Sequence, residues 1–160
     1  MSAEGLGSGR VGDKVAIVTG GASGIGRGVS MRLAEEGAIV VIADVQEELG
    51  ALVVSEIVDS GGKAQFLRHD VTNENQWVDL IVEVVQEHGG LHVLVNNAGI
   101  AIVASILEMS LEDWRRQQAV NLDGVFLGVK HAIPAMIESQ AGSIINVSSV
   151  AGIKGAPLST

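Results

Sequence analysis

The stretch that decides the fold is KVAIVTGGASGIG, residues 14–26. Its first half is a short run of β-branched and apolar residues, which predicts a buried strand over residues 14–19. The glycines predict a tight turn, and an apolar face formed by Val29, Leu33 and Ala34 predicts a helix over residues 25–36. Such a turn favours an anion, because glycines admit close approach and helix N–H groups are partly positive. The alternative is a flexible turn without a ligand.

The same alternation of strand and helix continues along the rest of the chain. Because the strands are apolar on both faces and each is followed by a helix, they indicate a parallel sheet covered on both sides. The expected fold class is α/β, a doubly wound, Rossmann-like parallel sheet in three layers. The predicted strands cover residues 14–19, 38–43, 64–69, 91–95 and 143–147, and the predicted helices cover residues 25–36, 46–60, 73–88 and 110–138.

The composition excludes several classes of protein. With 160 residues and 47% hydrophobic positions, the chain is long and apolar enough for one packed core. Its 10 basic and 19 acidic residues give a net charge of -9, which is the wrong sign for binding nucleic acid or an anionic membrane. The absence of cysteine excludes disulfides and favours a cytoplasmic location. We expect residues 1–12 to be a flexible leader and residues 13–160 to be one domain.

Asp44 follows the second predicted strand, eighteen residues after Gly26. A dinucleotide-binding fold presents an acid near this spacing to the hydroxyls of the adenosine ribose. The carboxylate would repel a 2′-phosphate, and neither Ser23 nor Val45 supplies a cation to reverse that effect. These features predict that residues 13–160 bind a dinucleotide and prefer NAD to NADP. The alternative is an ordinary acid at the end of a strand.

Further motifs occur after the later predicted strands and in the long predicted helix. They are Asp70-Val71 after the third strand, Asn96-Asn97-Ala98-Gly99 after the fourth, Asn121 in the long helix and Asn146-Val147-Ser148-Ser149 after the fifth. The glycine spacing Gly20-x-x-x-Gly24-x-Gly26 also differs from the general dinucleotide motif. With these motifs the chain resembles the short-chain dehydrogenase/reductase family over nearly its whole length.

The resemblance implies a role for each matching residue. Asp70 would contact the adenine amino group with Val71 beside the ring, and Ile25 would pack against the cofactor. Asn96 and Asn97 would also tie neighbouring strands together. The residues implied to bind the cofactor are Thr19, Gly20, Ser23, Gly24, Ile25, Gly26, Asp44, Asp70, Val71, Asn97, Ala98 and Gly99.

The resemblance also implies hydride transfer between the nicotinamide and an alcohol or carbonyl carbon, with a tyrosine phenol moving the proton. Ser149 matches the serine that hydrogen-bonds the substrate oxygen, and Ser148 is the alternative. Asn121 matches the asparagine that holds a water connecting the family lysine to solvent. The expected function is therefore an NAD(H)-dependent oxidoreductase that interconverts a secondary alcohol and a ketone.

The tyrosine itself is missing. The chain contains no Tyr, and the family's Tyr-x-x-x-Lys motif would begin just beyond Thr160. We therefore expect an amino-terminal piece of a longer enzyme, truncated after strand five and inactive alone, with residues 155–160 leading towards the motif. The alternative hypothesis is a chain of this length that binds a nucleotide or a partner without catalysis.

The remaining predictions concern substrate, assembly and metals. Apolar residues 100–103 and 150–152 predict a weakly polar, cyclic or steroidal alcohol, and an acyl-carrier-protein ketoreductase is the competing class. The resemblance implies a homodimer or homotetramer for the complete protein, in which later helices or partner subunits would cover the apolar face of the last helix. No metal site is expected, because glycines separate His88 from His92. His69 and His131 are expected at the surface, or partly buried with their hydrogen bonds satisfied.

Overall fold

The computed structural model describes residues 9–154, which form a five-stranded sheet in the order β3-β2-β1-β4-β5. Every pair of neighbouring strands is parallel, so the predicted α/β fold with a doubly wound, Rossmann-like sheet is confirmed. The strands are β1 (Val15–Thr19), β2 (Ile39–Asp44), β3 (Lys63–Arg68), β4 (Val93–Asn96) and β5 (Ser143–Asn146). The α-helices are α1 (Gly24–Glu35), α2 (Glu47–Asp59), α3 (Glu74–His88), α4 (Leu111–Gln118) and α5 (Gly124–Glu138).

Helices cover both faces of the sheet and produce two separate apolar clusters. Alternate residues of a strand point to opposite faces, so Ile17 and Val18 of β1 belong to different clusters. Ile17 lies in the cluster with Trp77 of α3, whereas Val18 lies in the cluster with Val53 of α2. The result is a three-layer arrangement in which β1 is completely buried and β2 is buried except for the partly exposed Ile39.

The order in which strands are added to the sheet changes side at β1. The chain first adds β2 and β3 on one side, and then returns to add β4 and β5 on the other. In open parallel sheets the ligand crevice lies beyond the carboxyl ends of the strands at such a switch point. The fold therefore predicts a ligand site at the loops that follow β1 and β4.

The predicted helix over residues 110–138 is present, but it contains a π-helical segment. A π-helical segment, Ala119–Asp123, separates α4 from α5, and the Gly124 N–H donates to the carbonyl of Ala119, five residues back. The Asn121 side chain within this segment forms both of its hydrogen bonds with the main chain of Ile100. A side chain bonded across to a loop holds the helix at that point, and π-segments often occur at functional sites.

The two helix starts predicted from capping residues are present. The Asn73 side chain accepts hydrogen bonds from the N–H groups of Asn75 and Gln76 at the start of α3. The Ser110 hydroxyl accepts one from Asp113 N–H at the start of α4. Both caps satisfy N–H groups that an α-helix leaves without intrahelical partners.

Residues 9–12 of the expected leader contact the end of α1. Val11 N–H donates to the carbonyl of Glu36 at 3.2 Å, and Val11 packs against the apolar cluster under α1 and α2. Residues 1–8 of the leader and the tail 155–160 lie outside the described residues. Within residues 9–154, every helix is too short or too polar to cross a membrane.

Candidate functional site

A cavity of about 650 Å³ opens at the carboxyl edge of the sheet. The loops after β1, β2, β3 and β4 form its walls, together with the end of α4 and the first π-helical residues. Ten of the residues predicted to bind a cofactor line it: Gly20, Ser23, Gly24, Ile25, Asp44, Asp70, Val71, Asn97, Ala98 and Gly99. The other two, Thr19 and Gly26, lie behind the wall and shape the turn.

The glycine turn is shaped by close approach of the main chain to itself. Gly20 has φ +63, which side chains rarely adopt, and a Cβ there would lie 2.9 Å from the Cα of Ala98. A Cβ on Gly26 would overlap the carbonyl group of Gly20 and the Asn97 amide. Only glycine therefore permits the turn to pack beneath the start of α1.

The start of α1 faces the cavity. The first hydrogen bond into this helix joins Arg27 N–H to the Ser23 carbonyl at 3.0 Å, so the preceding N–H groups have no intrahelical acceptor. The Ser23 side chain makes no capping bond, and Ser23, Gly24 and Ile25 all line the cavity. Ile25 is 69% exposed, which leaves its apolar side chain available to a ligand. This arrangement is suited to a phosphate group.

Thr19 and Asn97 hold the turn against β4. The buried Thr19 hydroxyl accepts hydrogen bonds from the N–H groups of Asn97 and Ala98, each at 3.0 Å. The Asn97 amide donates to the carbonyls of Thr19 at 3.0 Å and Gly20 at 3.2 Å. Asn96 bonds instead to the Asn146 side chain, so it ties β4 to β5 through a side-chain pair rather than through the main chain.

Asp44 connects the glycine turn to the loop after β2. One carboxylate oxygen accepts from Ala22 N–H at 3.0 Å and the other from Gln46 N–H at 3.0 Å. Asp44 is only 5% exposed, yet it lines the cavity. A carboxylate offers about four acceptor positions, so this one retains capacity for hydroxyl groups of a ligand. The structural and ligand-binding readings of Asp44 are therefore compatible.

Asp70 and Val71 form the wall after β3. One Asp70 oxygen accepts from the N–H and the hydroxyl of Thr72, at 2.9 and 2.8 Å. The Val71 carbonyl accepts from the Trp77 indole N–H at 2.9 Å, which fixes the loop to α3. The loop thus presents one carboxylate and one apolar side chain to the cavity.

His69 differs from its sequence-based expectation. It is 2% exposed, and neither ring nitrogen has a hydrogen-bond partner in residues 9–154, so the expectation of a surface or satisfied histidine is wrong. Its ring meets Trp77 edge-on with 4.4 Å between centroids. Burial lowers the pKa of His69 to about 4, although the nearby Asp70 charge acts in the opposite direction. The imidazole is therefore neutral near neutral pH.

Asn121 and Ser149 lie outside the cavity wall. The Asn121 amide accepts from Ile100 N–H and donates to its carbonyl, both at 2.9 Å, beside the cavity residue Gly99. Ser149 is exposed after β5, where its hydroxyl accepts from Ala151 N–H at 3.2 Å. The Ser149 O–H remains free to donate to another group.

Eight lining residues were not among the predicted site residues, and Gln46 and Arg116 are two of them. Gln46 N–H fixes Asp44, and Arg116 lies on α4. Arg116 lies three and four residues before Ala119 and Val120, so the three residues share one helix face. The spacing would predict Arg116 at the cavity only if that face were already known to line it.

Of His88 and His92, the second has a structural role. His92 Nδ1 accepts from Val15 N–H at 3.1 Å, at the beginning of β1. Among residues 9–154 there is no group of three or more His, Cys, Asp or Glu side chains that could hold a metal ion.

The residues at this cavity fit a dinucleotide. Gly20 and Gly26 have no room for side chains, the α1 N–H groups suit phosphate, and Asp44 suits ribose hydroxyls. The fold and site define a Rossmann-like α/β protein with a nucleotide-type crevice.

The chain belongs to the short chain dehydrogenase family, which matches residues 14–160. Dehydrogenases of this family use nicotinamide cofactors. The resemblance inferred from the motifs is thus confirmed.

Three relatives show how far the likeness extends. The 2,5-dichloro-2,5-cyclohexadiene-1,4-diol dehydrogenase LinX of Sphingobium indicum is 48% identical, covering 90% of this chain and 58% of the relative. Cyclopentanol dehydrogenase of Comamonas testosteroni is 47% identical, covering 93% and 60%. A crystal structure of a short-chain type dehydrogenase/reductase from Mycobacterium marinum matches with a TM-score of 0.88 at 37% identity, covering 91% and 60%. The chain spans about three fifths of the length of these proteins.

Proposed function

We propose that this protein binds NAD(H) in the cavity at the glycine turn and interconverts a secondary alcohol and a ketone. The observation that carries the proposal is Asp44, a buried carboxylate held between Ala22 and Gln46 on the cavity wall. When bound, the nicotinamide accepts a hydride from the alcohol carbon or returns it to the ketone. The names of the two dehydrogenases above support this class of reaction.

The preference for NAD over NADP follows from charge at the end of β2. Asp44 would repel a 2′-phosphate placed near the ribose, and its neighbours Val45 and Gln46 carry no positive charge. Its oxygens already accept from two main-chain N–H groups, which holds the carboxylate in place for the ribose hydroxyls.

Proton transfer requires a group that the chain does not contain. No Tyr occurs in residues 1–160, so the proposal places the Tyr and Lys of the family motif after Thr160. Ser149 would donate its hydroxyl to the substrate oxygen as negative charge develops there. Asn121 would hold the loop at Ile100 beside the cavity and position a water that links the lysine to solvent.

The proposed substrate is a weakly polar cyclic alcohol. The loops after β4 and β5 are neighbours, because β4 and β5 pair in the sheet. Both carry exposed apolar side chains, including Val103 at 72% and Val150 at 81% exposure. An apolar wall on both sides favours a ring of low polarity. The substrates in the names of the two dehydrogenases are also rings, which supports this class over an acyl-carrier substrate.

We also propose a homodimer or homotetramer for the complete protein, located in the cytoplasm. The exposed apolar residues Phe126, Ile133 and Ile137 lie on α5 with exposures of 62%, 42% and 70%. A contiguous apolar face on a helix favours burial against another surface. A cytoplasmic location is supported by the lack of cysteine.

The second candidate function is nucleotide or partner binding without catalysis by a chain of this length. The observation that favours it is the lack of any Tyr together with a cavity formed by residues of this chain. Both candidates predict nucleotide binding, so turnover separates them.

The proposal is tested by binding and turnover measured on the same preparations. Calorimetric titration of the 160-residue chain with NAD and NADP should show binding of NAD and weaker binding of NADP. Cyclopentanol and NAD should yield NADH only with a gene product that contains the Tyr and Lys. Tighter binding of NADP would contradict the role of Asp44. A natural gene product that lacks the Tyr and Lys, and that binds NAD without any turnover, would favour the second candidate.

A further inference from the structure

Arg116 stands at the mouth of the cavity. It lies on α4, three and four residues before Ala119 and Val120, so these three cavity residues share one helix face. One turn beyond Val120, Gly124 packs against Val71, and a Cβ there would lie 2.9 Å from a Val71 methyl carbon. The row of residues thus runs from Val71 at the inner wall outwards to Arg116.

Arg116 is the only Lys or Arg among the described residues that line the cavity. The same wall contains two carboxylates, Asp44 and Asp70, and the whole chain has a net charge of -9. His69 adds no charge near neutral pH, because its pKa is about 4. The start of α1 supplies only about half a positive charge. The two carboxylates oppose a ligand with two phosphates, and a further positive charge at the cavity would offset them. Arg68, which is in register with Asp44, bonds to Glu47 and does not line the cavity.

The guanidinium of Arg116 is available for that purpose. In residues 9–154, no ion pair with Asp or Glu involves Arg116. The preceding residue, Arg115, is also exposed on the same helix but does not line the cavity. Both lie in the last turn of α4, where a cation stabilises the carbonyl end of the helix, so that contribution is common to the two arginines.

We propose that Arg116 is a further cofactor-binding residue whose positive charge offsets Asp44 and Asp70 and attracts the phosphates of the dinucleotide. The inference rests on the proposed function, because it concerns the same cavity. It assigns the effect to charge at the mouth of the cavity rather than to a fixed hydrogen bond. Its signature is a dependence on salt that disappears with the charge.

The test compares three variants of the full 160-residue chain: Arg116→Gln, Arg116→Lys and the matched control Arg115→Gln. Dissociation constants for NAD and ADP-ribose are measured by calorimetry at low and at high salt. We expect Arg116→Gln to weaken both ligands by about three- to tenfold at low salt, with a much smaller loss at high salt. Arg116→Lys should stay near the wild-type affinity, and Arg115→Gln should change it by less than about twofold.

Three results would overturn the inference. Equal losses in Arg115→Gln and Arg116→Gln would mean that only net charge matters. An equal loss in Arg116→Lys would mean that the shape of the guanidinium matters and its charge does not. Unchanged binding by Arg116→Gln, with NAD bound normally by the wild type, would remove this inference alone. A wild-type chain that binds neither NAD nor ADP-ribose would remove the proposed function as well.

Discussion

The centre of the sheet and its β5 edge have similar sequences but different surroundings. Ile17 of β1 and Ile42 of β2 are fully buried, whereas Ile145 of β5 is 43% exposed and the following Val147 is 39% exposed. All four residues are β-branched and belong to or follow short apolar strands. The central strands have a strand on each side, but β5 pairs only with β4 among the described residues. Burial is thus decided by neighbours in the sheet and not by the strand sequence.

The loops above these strands differ in the same way. The glycine turn after β1 is held by Thr19, Asn97 and Asp44 through several buried or partly buried hydrogen bonds. The loop after β5 contains Ser149, which is exposed and accepts one hydrogen bond within its own short turn. The proposed cofactor half of the site is therefore preorganised by this chain, whereas the proposed catalytic serine lies in a sparsely held loop.

The largest expected effect comes from a substitution in the glycine turn, which belongs to the preorganised cofactor half of the site. Gly26→Ala would place a methyl group against the Gly20 carbonyl, so we expect the free energy of unfolding to fall by about 2–3 kcal/mol and NAD binding to be lost. Gly28→Ala is the matched control two residues along α1, because its Cβ would meet open space. The control should be neutral or stabilising by up to about 1 kcal/mol. Urea denaturation measures both, and similar curves for the two variants would contradict the packing of the turn.

The next effect concerns the buried histidine beneath the cavity wall. Its pKa is 6.5 in a typical unfolded chain and about 4 in the fold, so above pH 6.5 both states are neutral and equally protonated. As the pH falls from 6.5 towards 4, the unfolded state binds a proton first, and the fold loses stability. We expect His69 to account for about 2 kcal/mol of the loss between about pH 7 and pH 5.

His69→Phe keeps an aromatic ring beside Trp77 but removes the titrating group. Denaturation of this variant should therefore show a weaker dependence on pH over the same interval than denaturation of the wild type. Parallel pH profiles for the two proteins would show that His69 is not held neutral in the fold.

A smaller effect is expected at the end of β2, where Asp44 is proposed to set the preference for NAD over NADP. Asp44→Asn keeps the size and one acceptor oxygen but removes the charge, so we expect NAD affinity to fall about tenfold and the ratio of NAD to NADP affinity to fall with it. Glu47→Gln is the control, because it removes one exposed acid that pairs with Arg68 nearby. An unchanged preference for NAD in Asp44→Asn would leave Asp44 as a residue that only shapes the turn.

The smallest effect is expected when the same substitution is made in the buried strand β1 and in the edge strand β5. Ile17→Val removes one methylene group from a fully buried position and should cost about 1 kcal/mol of stability. Ile145→Val makes the same chemical change in β5 and should cost less than about half as much, because the side chain is 43% exposed. Equal costs measured by urea denaturation would mean that β5 is covered in solution.

The sequence predicted the parts of this structure that depend on nearby residues. Alternating apolar runs and glycines predicted all five strands within a few residues, and Asn73 and Ser110 predicted the starts of α3 and α4. The family motifs predicted ten residues of the cavity wall, which lie at the carboxyl ends of strands or between those ends and the first turn of the next helix, at the same edge of the sheet. Local pattern was sufficient for the strands and helix starts, whereas the cavity residues were implied by the resemblance to the family.

The tertiary structure alone decided the features that join distant residues. The π-helical segment of the long helix lies where Asn121 bonds to Ile100, and the buried His69 packs against Trp77. The place of Arg116 depends on which face of α4 meets the crevice. The periodicity of a sequence predicts which residues share a face of one helix or strand. It does not predict which side chains of another helix or strand pack against that face. The sequence by itself therefore determined the class of fold and the crevice, whereas packing decided its charge balance and its buried, neutral histidine.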